Sequence, residues 1–198
     1  PAQWVFTKGV NVDEFVVDNK MPSATGKGYI SYISNCDPAL DVNNKIARAN
    51  TAGEPYITGG WPGDWWLFTI PEMTIKAGTV INAKFHARAS GTGMKYWMLE
   101  YYDGGEWKPG APLQTTTVGE GDQAQTFSYN YEMMNTDHCL IDRNMTFEHA
   151  INNGDILIRL RCMANWQASG KGALAAPNGG THRISVQNNI NPTISIVQ

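Results

Sequence analysis

The residues best suited to chemistry lie between Gly59 and Pro109, where carboxylates and most of the seven tryptophans of the 198-residue chain are concentrated. Hydrolysis of a glycosidic bond needs two carboxyl groups, one as the acid and the other as the nucleophile or base. Glu100, Asp103 and Glu106 lie close together in sequence. Because Asp103 falls in a predicted turn and Glu106 just after it, the three do not line one strand face. This spacing argues against a glycoside hydrolase.

Tryptophan side chains offer a second chemistry, because the apolar C–H face of a pyranose packs well on an exposed indole. Trp65 and Trp66 are adjacent in the sequence, so on a strand they point to opposite faces. Trp66 shares its face with Phe68 and Ile70, which assigns it to the core. Trp65 is therefore the candidate for an exposed ring.

Two other tryptophans are assigned to packing. Trp97 alternates with Leu99 and Tyr101 along one strand face, and a large aromatic ring between apolar neighbours usually fills a core. Trp107 is interpreted as a cross-strand packing partner that also belongs to the core.

Trp61 and Trp166 lie outside any alternating pattern. Trp61 is in the Gly59–Gly63 loop, and Trp166 opens a stretch rich in small residues that continues to Gly180. A long loop inside a compact domain is usually functional. Each of the two rings either stacks on a sugar or folds back over an end of the domain.

Charged side chains on the predicted strands could supply the polar contacts of a sugar site. Glu100 and Tyr102 share one strand face, and Arg159 and Arg161 share the polar face of another strand. If these strands neighbour the strand at 80–89, one outer surface could bind sugar hydroxyls or a uronic acid. That strand adds Lys84, His86 and Arg88. The alternative is a solvated face on which Glu100 pairs with an arginine across strands.

The elements that must position these residues are predicted to be β-strands, because apolar and polar residues alternate over most of the chain. Only 144–152 suggests a short helix, with Thr146 as its N-cap and Gly154 as its stop signal. This pattern predicts an all-β sandwich or barrel. Strands are expected at 4–7, 28–34, 64–70, 80–89, 95–102, 126–131, 155–163, 183–186 and 193–197.

Composition limits the other classes of function. The length is suited to one core, so a single domain is predicted over residues 1–198. The net charge of −3 comes without a basic stripe, which argues against nucleic acid as a partner. No apolar run approaches the roughly 20 residues of a transmembrane helix. The chain begins at Pro1, and we expect a mature or trimmed secreted product, with a lipid anchor upstream of it as an option.

The three cysteines, Cys36, Cys139 and Cys162, do not form a zinc or disulfide framework. Cys162 shares an apolar strand face and is interpreted as a small buried hydrophobe. Cys36 and Cys139 are left as a candidate disulfide.

The segment KYWMLEYYDGGEWKP, residues 95–109, resembles the aromatic hairpin of galactose-binding-like β-sandwiches. This jelly-roll group includes discoidin-type domains and many carbohydrate-binding modules. The wider run, PYITGGWPGDWWLFTIP followed by IKAGTVINAKFHARASGTG, resembles secreted and lipid-anchored modules that gut bacteria use for glycan capture. The resemblance implies a jelly-roll sandwich of two antiparallel sheets outside the cytoplasm that binds glycans, without catalysis, in polysaccharide utilisation. It also implies that a structural calcium is an option, for which Asp37, Asp41 and Asn43 supply oxygen atoms.

The leading hypothesis is a non-catalytic, extracytoplasmic carbohydrate-binding module for a polysaccharide or oligosaccharide, with no required cofactor. One alternative is a structural or adhesion domain that binds a protein partner, and a glycoside hydrolase is the less favoured third. The candidate carbohydrate-binding residues are Trp61, Trp65, Trp166, Glu100, Tyr102, Arg159 and Arg161.

Overall fold

The computed structural model describes residues 2–5, 20–34, 46–48, 53–169 and 179–197. Its one helical element within those ranges is a 3₁₀ turn at Gly121–Gln123. None of the described residues forms a helix long and apolar enough to cross a membrane. The strands are β1 (Ala2–Gln3), β2 (Lys20–Pro22), β3 (Tyr29–Ile33), β4 (Ala47–Arg48), β5 (Pro55–Thr58), β6 (Trp65–Ile75), β7 (Thr79–Ala89), β8 (Tyr96–Asp103), β9 (Glu106–Pro109), β10 (Gln114–Val118), β11 (Gln125–Tyr129), β12 (Tyr131–Glu132), β13 (Cys139–Phe147), β14 (Ile151–Cys162), β15 (Thr181–Ser185) and β16 (Thr193–Ile196).

The strands form two antiparallel sheets and a separate β10–β11 hairpin. Sheet A has the order β1-β16-β7-β15-β5-β4, with β13 on the other side of β7. Strands β16 and β15 share one side of β7 by pairing with its first and second halves. Sheet B has the order β12-β8-β14-β6-β3-β2, with β9 also paired to β8. The predicted all-β sandwich of two antiparallel sheets with little helix is confirmed.

The core lies between the two sheets, where alternate residues of each strand point inward. Trp66 and Trp97 are fully buried, as predicted. The rings of Phe68 in β6 and Phe85 in β7 meet between the sheets, with centroids 4.8 Å apart. A single connected cluster contains most of the buried apolar side chains, so the sheets share one core.

The predicted helix at 144–152 is wrong. Its residues are divided between β13 and β14, and β13 pairs with β7 from Cys139 to Phe147. Ile141, Met145 and Phe147 are buried, but the exposed Arg143 interrupts their alternation. That interruption hides the period of two in the sequence.

The strand at 80–89 does not neighbour the arginine strand. Strand β7 is in sheet A and β14 is in sheet B. The outward side chains of Lys84, His86 and Arg88 therefore lie on the opposite surface of the sandwich from Arg159 and Arg161.

Candidate sugar-binding face

Three neighbouring strands of sheet B bring five of the predicted residues to one outer surface. Strand β14 lies between β6 and β8, and Arg159 is paired with both Leu67 and Glu100. We call this surface the Arg159 face and define it by three rows of outward side chains. The rows contain Ile33, Trp65, Arg161 and Met98; Lys20, Ser31, Leu67, Arg159, Glu100 and Pro109; and Pro22, Tyr29, Thr69, Leu157, Tyr102 and Trp107.

Glu100 is held between two arginines at the centre of this face. Arg159 donates from Nε to Glu100 Oε2 at 2.7 Å. Arg161 donates from Nε to the same oxygen at 3.0 Å and from Nη2 to Oε1 at 2.9 Å. The Glu100 side chain is only 8% exposed, so these are shielded, charge-assisted hydrogen bonds. The predicted cross-strand pairing of Glu100 with an arginine is thus observed, and it fixes all three side chains.

Arg159 also lies between two indole rings. Its Cζ atom is 3.9 Å from the ring centroid of Trp107 and 4.9 Å from that of Trp65. Both distances are within the range of cation–π attraction. Trp107 in turn contacts Tyr102, with ring centroids 5.2 Å apart. The face therefore combines half-buried aromatic rings with polar groups that are fixed in position.

Two polar atoms on this face have no hydrogen-bond partner among the described residues. They are Nε1 of Trp65 and Oγ1 of Thr69, and both are buried. A buried donor or acceptor without a partner is uncommon and costs free energy.

The loop that carries Trp61 is rigidly attached to the end of this face. Asp64 accepts from the Trp61 backbone N at 2.9 Å and from the Tyr32 hydroxyl at 2.9 Å. The Gly63 backbone N donates to the Cys162 carbonyl, which ties the loop to the end of β14. Trp61 is half-buried and lies in the loop that leads directly into Trp65.

Trp166 belongs to a second apolar cluster beyond the first row of the Arg159 face. It packs with Tyr96, Tyr129 and Ala164, together with Phe127 of the β10–β11 hairpin. The backbone N of Lys95 donates to its carbonyl at 3.0 Å. Trp166 is half-buried by this packing, so only part of its ring is open.

Sequence reasoning missed the part that Trp107 plays in this face. Trp107 was predicted to lie in the core, but it is half-buried on the outer surface of sheet B. The signal was present, because the Asp103 to Glu106 turn places Trp107 directly opposite Tyr102. Residues paired across an antiparallel ladder share a face, and Tyr102 had been placed outside.

The acidic trio does not line one strand face, because Glu100 and Asp103 point to opposite sides of β8. Asp103 is the last residue of that strand and not a turn residue as predicted, and Glu106 is paired with it across the hairpin. Glu100 is engaged by the two arginines, and Asp103 is on the other side of β8 with a side chain only 1% exposed. Asp103 accepts from Lys108 and from the backbone N atoms of Glu148 and His149. These hydrogen bonds hold the pKa of Asp103 below its ordinary value although burial acts to raise it.

The cysteine and calcium predictions concern residues that are mostly outside the described ranges. Cys36 is outside them, and within them Cys139 and Cys162 carry free thiols. Burial raises the pKa of Cys139 to about 11 and that of Cys162 still further, so neither is a reactive thiolate. The described residues contain no cluster of three or more His, Cys, Asp or Glu that could hold a metal. The calcium prediction, which lies on Asp37, Asp41 and Asn43, falls outside the described residues.

Comparison with solved structures finds chains that this protein partly matches. A solved structure described as "CBM4 structure and function" matches with a TM-score of 0.46 and 13% identity, over 85% of this chain and 86% of the other. A second, described as "Family 16 Carbohydrate Binding Module-2", matches with a TM-score of 0.35 and 9% identity, over 96% and 99%. No family model matches the chain, and no curated protein matches it in sequence.

Proposed function

We propose that the protein is a non-catalytic carbohydrate-binding module whose ligand lies on the Arg159 face. The observation that carries this proposal is the position of Arg159 between the Trp65 and Trp107 rings, at 4.9 Å and 3.9 Å. Sugar sites combine aromatic surface for the C–H faces with fixed hydrogen-bonding groups for the hydroxyls. Both components are present here on four adjacent strands, β6, β14, β8 and β9. Those side chains support the proposal, and the fold similarity does not add to it.

The aromatic rings would have different parts in binding. Trp65, Trp107 and Tyr102 stack against sugar rings over the centre of the face, on the ring surfaces that Arg159 does not cover. Trp61 extends this surface from the loop before β6, and Trp166 extends it from the second cluster. The open edges of Arg159 and Arg161 hydrogen-bond the sugar, and Glu100 holds the two arginines in place.

The hydrogen bonds of Glu100 and Asp103 favour a binding function over catalysis. A hydrolase of the usual kind needs one carboxyl group that keeps a proton at working pH. Glu100 accepts three hydrogen bonds from arginines, and the pKa of Asp103 is lowered by its hydrogen bonds, against the opposing effect of burial. The proposed function also implies a location outside the cytoplasm, where a module of this kind would encounter polysaccharides.

The Trp107→Ala variant tests this function. We expect its affinity for a bound polysaccharide to fall about 10-fold or more, since one stacking aromatic contributes on the order of 1–2 kcal/mol. Affinity gel electrophoresis and isothermal titration calorimetry against a panel of neutral and acidic polysaccharides would measure it. Leu140→Ala is the matched control, because Leu140 is 45% exposed on sheet A, and it should leave binding unchanged.

The contrary outcome is also specific. If no polysaccharide of the panel binds the wild-type protein, and tryptophan fluorescence does not respond to any of them, the sugar-binding proposal fails. A structural or adhesion domain would then be the better interpretation. Reducing-sugar release from the same panel would instead indicate a hydrolase.

A further inference from the structure

The Arg159 face carries an excess of positive charge. In its three rows the described charged side chains are Lys20, Arg159, Arg161 and the single carboxylate of Glu100. The chain as a whole has a formal net charge of −3, so this surface runs against the overall sign. Lys20 is exposed, with its Nζ atom 4.8 Å from the centroid of the Tyr29 ring. An anion would be attracted to this face despite the negative net charge of the chain.

The excess charge is shielded from water. The side chains of Arg159 and Glu100 are 10% and 8% exposed, and Arg161 is 31% exposed. One carboxylate cannot neutralise two guanidinium groups, and a buried charge without a full counter-charge is costly. Burial lowers the pKa of Arg159, Glu100 opposes that effect, and Arg161 adds to it. A second negative group beside the two arginines would relieve this cost.

The open polar groups beside the arginines are mainly donors. Among the described residues Arg159 donates only through Nε, which leaves the N–H groups on its two Nη atoms for a ligand. Arg161 uses Nε and Nη2 for Glu100 and keeps Nη1. A neutral sugar hydroxyl both donates and accepts, whereas a carboxylate only accepts, so a carboxylate matches this set better.

We propose that the Arg159 face binds an acidic polysaccharide and that Arg159 and Arg161 engage the carboxylates of its uronic acid units. This inference rests on the proposed function and specifies its ligand. The planar guanidinium fork fits a planar carboxylate through two parallel hydrogen bonds. The flanking indoles pack against the sugar ring that bears the acid group, and Lys20 attracts a further acid group along the chain.

Pairs of polymers that differ only in the acid group test the proposal. Polygalacturonate and alginate would each be compared with the neutral polymer made from it by carboxyl reduction. We expect at least one acidic polymer to bind about 10-fold more tightly than its reduced form, the scale of one charge-assisted hydrogen bond. Added sodium chloride should weaken binding of the acidic form selectively.

Variants then assign the preference to the arginines. Arg161→Gln should lower the affinity for the acidic polymer about 10-fold. It should lower the affinity for the reduced polymer much less, because the Gln amide can still hydrogen-bond a hydroxyl group. Lys84→Gln removes the same charge from the outer surface of sheet A and should change neither. Far-UV circular dichroism would verify that each variant is folded.

The outcomes separate this inference from the function on which it rests. If acidic and reduced polymers bind equally well, or if Arg161→Gln weakens the binding of both to the same extent, the uronic acid assignment is overturned while glycan binding stands. If neither form of either polymer binds, and the neutral panel is also negative, the proposed function itself has failed.

Discussion

A buried histidine links the two sheets to the loop that carries Trp61. His182 of β15 is fully buried. Its Nδ1 accepts from Nε1 of Trp66 at 3.0 Å, so Nε2 carries the proton and donates to the Gly59 carbonyl at 3.0 Å. This ring is neutral in the folded protein, because burial lowers the pKa of His182 to about 3, although its contact with Gly59 acts to raise it.

The low pKa of His182 predicts that acid destabilises the protein. An exposed histidine in the unfolded chain has a pKa of about 6.5, so the unfolded state takes up the proton first. Stability should therefore fall as the pH drops from about 6.5 toward 3, by up to about 1.4 kcal/mol per pH unit for this one group. His86 and His138, whose pKa values are also lowered mainly by burial, add to the fall with the same sign.

His182→Phe and His182→Gln would isolate this contribution. Both variants should lose the His182 share of the pH slope, measured by urea unfolding between pH 7 and pH 4. His182→Phe also leaves the Trp66 N–H without an acceptor, at a cost of about 1–3 kcal/mol at pH 7. Gln can still accept this hydrogen bond, so it should cost less. An unchanged slope in both variants would contradict the neutral, buried assignment.

Side-chain orientation within a strand was the part of the site that could be predicted. Alternation placed Trp66 in the core, and it placed Glu100 and Tyr102 together on the opposite face of β8 from Trp97. Alternation within β9 alone does not give the orientation of Trp107, which is set by its pairing with Tyr102 across the hairpin. Which strands lie beside one another is set by contacts distant in sequence, so the neighbourhood of Arg159 and Trp65 could not be predicted.

At the scale of elements, the β8–β9 hairpin is fixed to the β13–β14 turn by one carboxylate. The Asp103 side chain is 1% exposed and lies 2.8 Å from the Lys108 ammonium. It also accepts from the backbone N atoms of Glu148 and His149 at 3.0 and 3.1 Å. Since β9 carries Trp107, this connection also fixes one edge of the Arg159 face.

Asp103→Asn should reduce the free energy of unfolding at pH 7 by about 1–3 kcal/mol, because a buried carboxylate with several donors is lost. The lowered pKa of Asp103 means that its contribution is present above the unfolded value of about 4 and disappears as the pH falls through the lower folded value. The difference from wild type, measured by chemical denaturation, should therefore shrink below about pH 4.

Glu148→Gln is the matched control, because its carboxylate contacts the same lysine but is 70% exposed. It should have little effect on stability, as exposed ion pairs usually do. Equal losses in the two variants would contradict the role assigned to burial at Asp103.

The strands in which apolar and polar residues alternate over a long stretch could be predicted from the sequence. Strands without that alternation could not. The central strands β6, β7, β8 and β14 each have an inward apolar series. Strand β10 has the sequence QTTTV and is mostly exposed, so it lacks that signal. It is held instead by pairing with β11, with side-chain hydrogen bonds between Thr115 and Ser128 and between Thr117 and Thr126. Such partners become apparent only in the folded chain.

At the scale of the whole molecule, the core and the Arg159 face are on opposite sides of sheet B. Phe68 and Phe85 join the sheets with their ring centroids 4.8 Å apart, and both are buried. The Trp65 and Trp107 rings lie on the far surface of the same sheet. The backbone of β6, β14 and β8 is the structure that the two sides share. Stability and binding should therefore be separable by mutation.

Phe85→Ala should lower the free energy of unfolding by about 3–5 kcal/mol, because a large buried ring is replaced by a cavity between the sheets. Its affinity for the polysaccharide should stay within about twofold of wild type at temperatures where the variant is folded, since Phe85 lies on sheet A and packs against Phe68 on the inner side of sheet B. Trp107→Ala should show the reverse pattern, with weakened binding and a smaller loss of stability. Urea unfolding and calorimetric titration of both variants at 15 °C would measure the two quantities.

If Phe85→Ala weakens binding as strongly as Trp107→Ala while it remains folded, the face depends on the inter-sheet core. Stability and binding would then not be independent properties of sheet B.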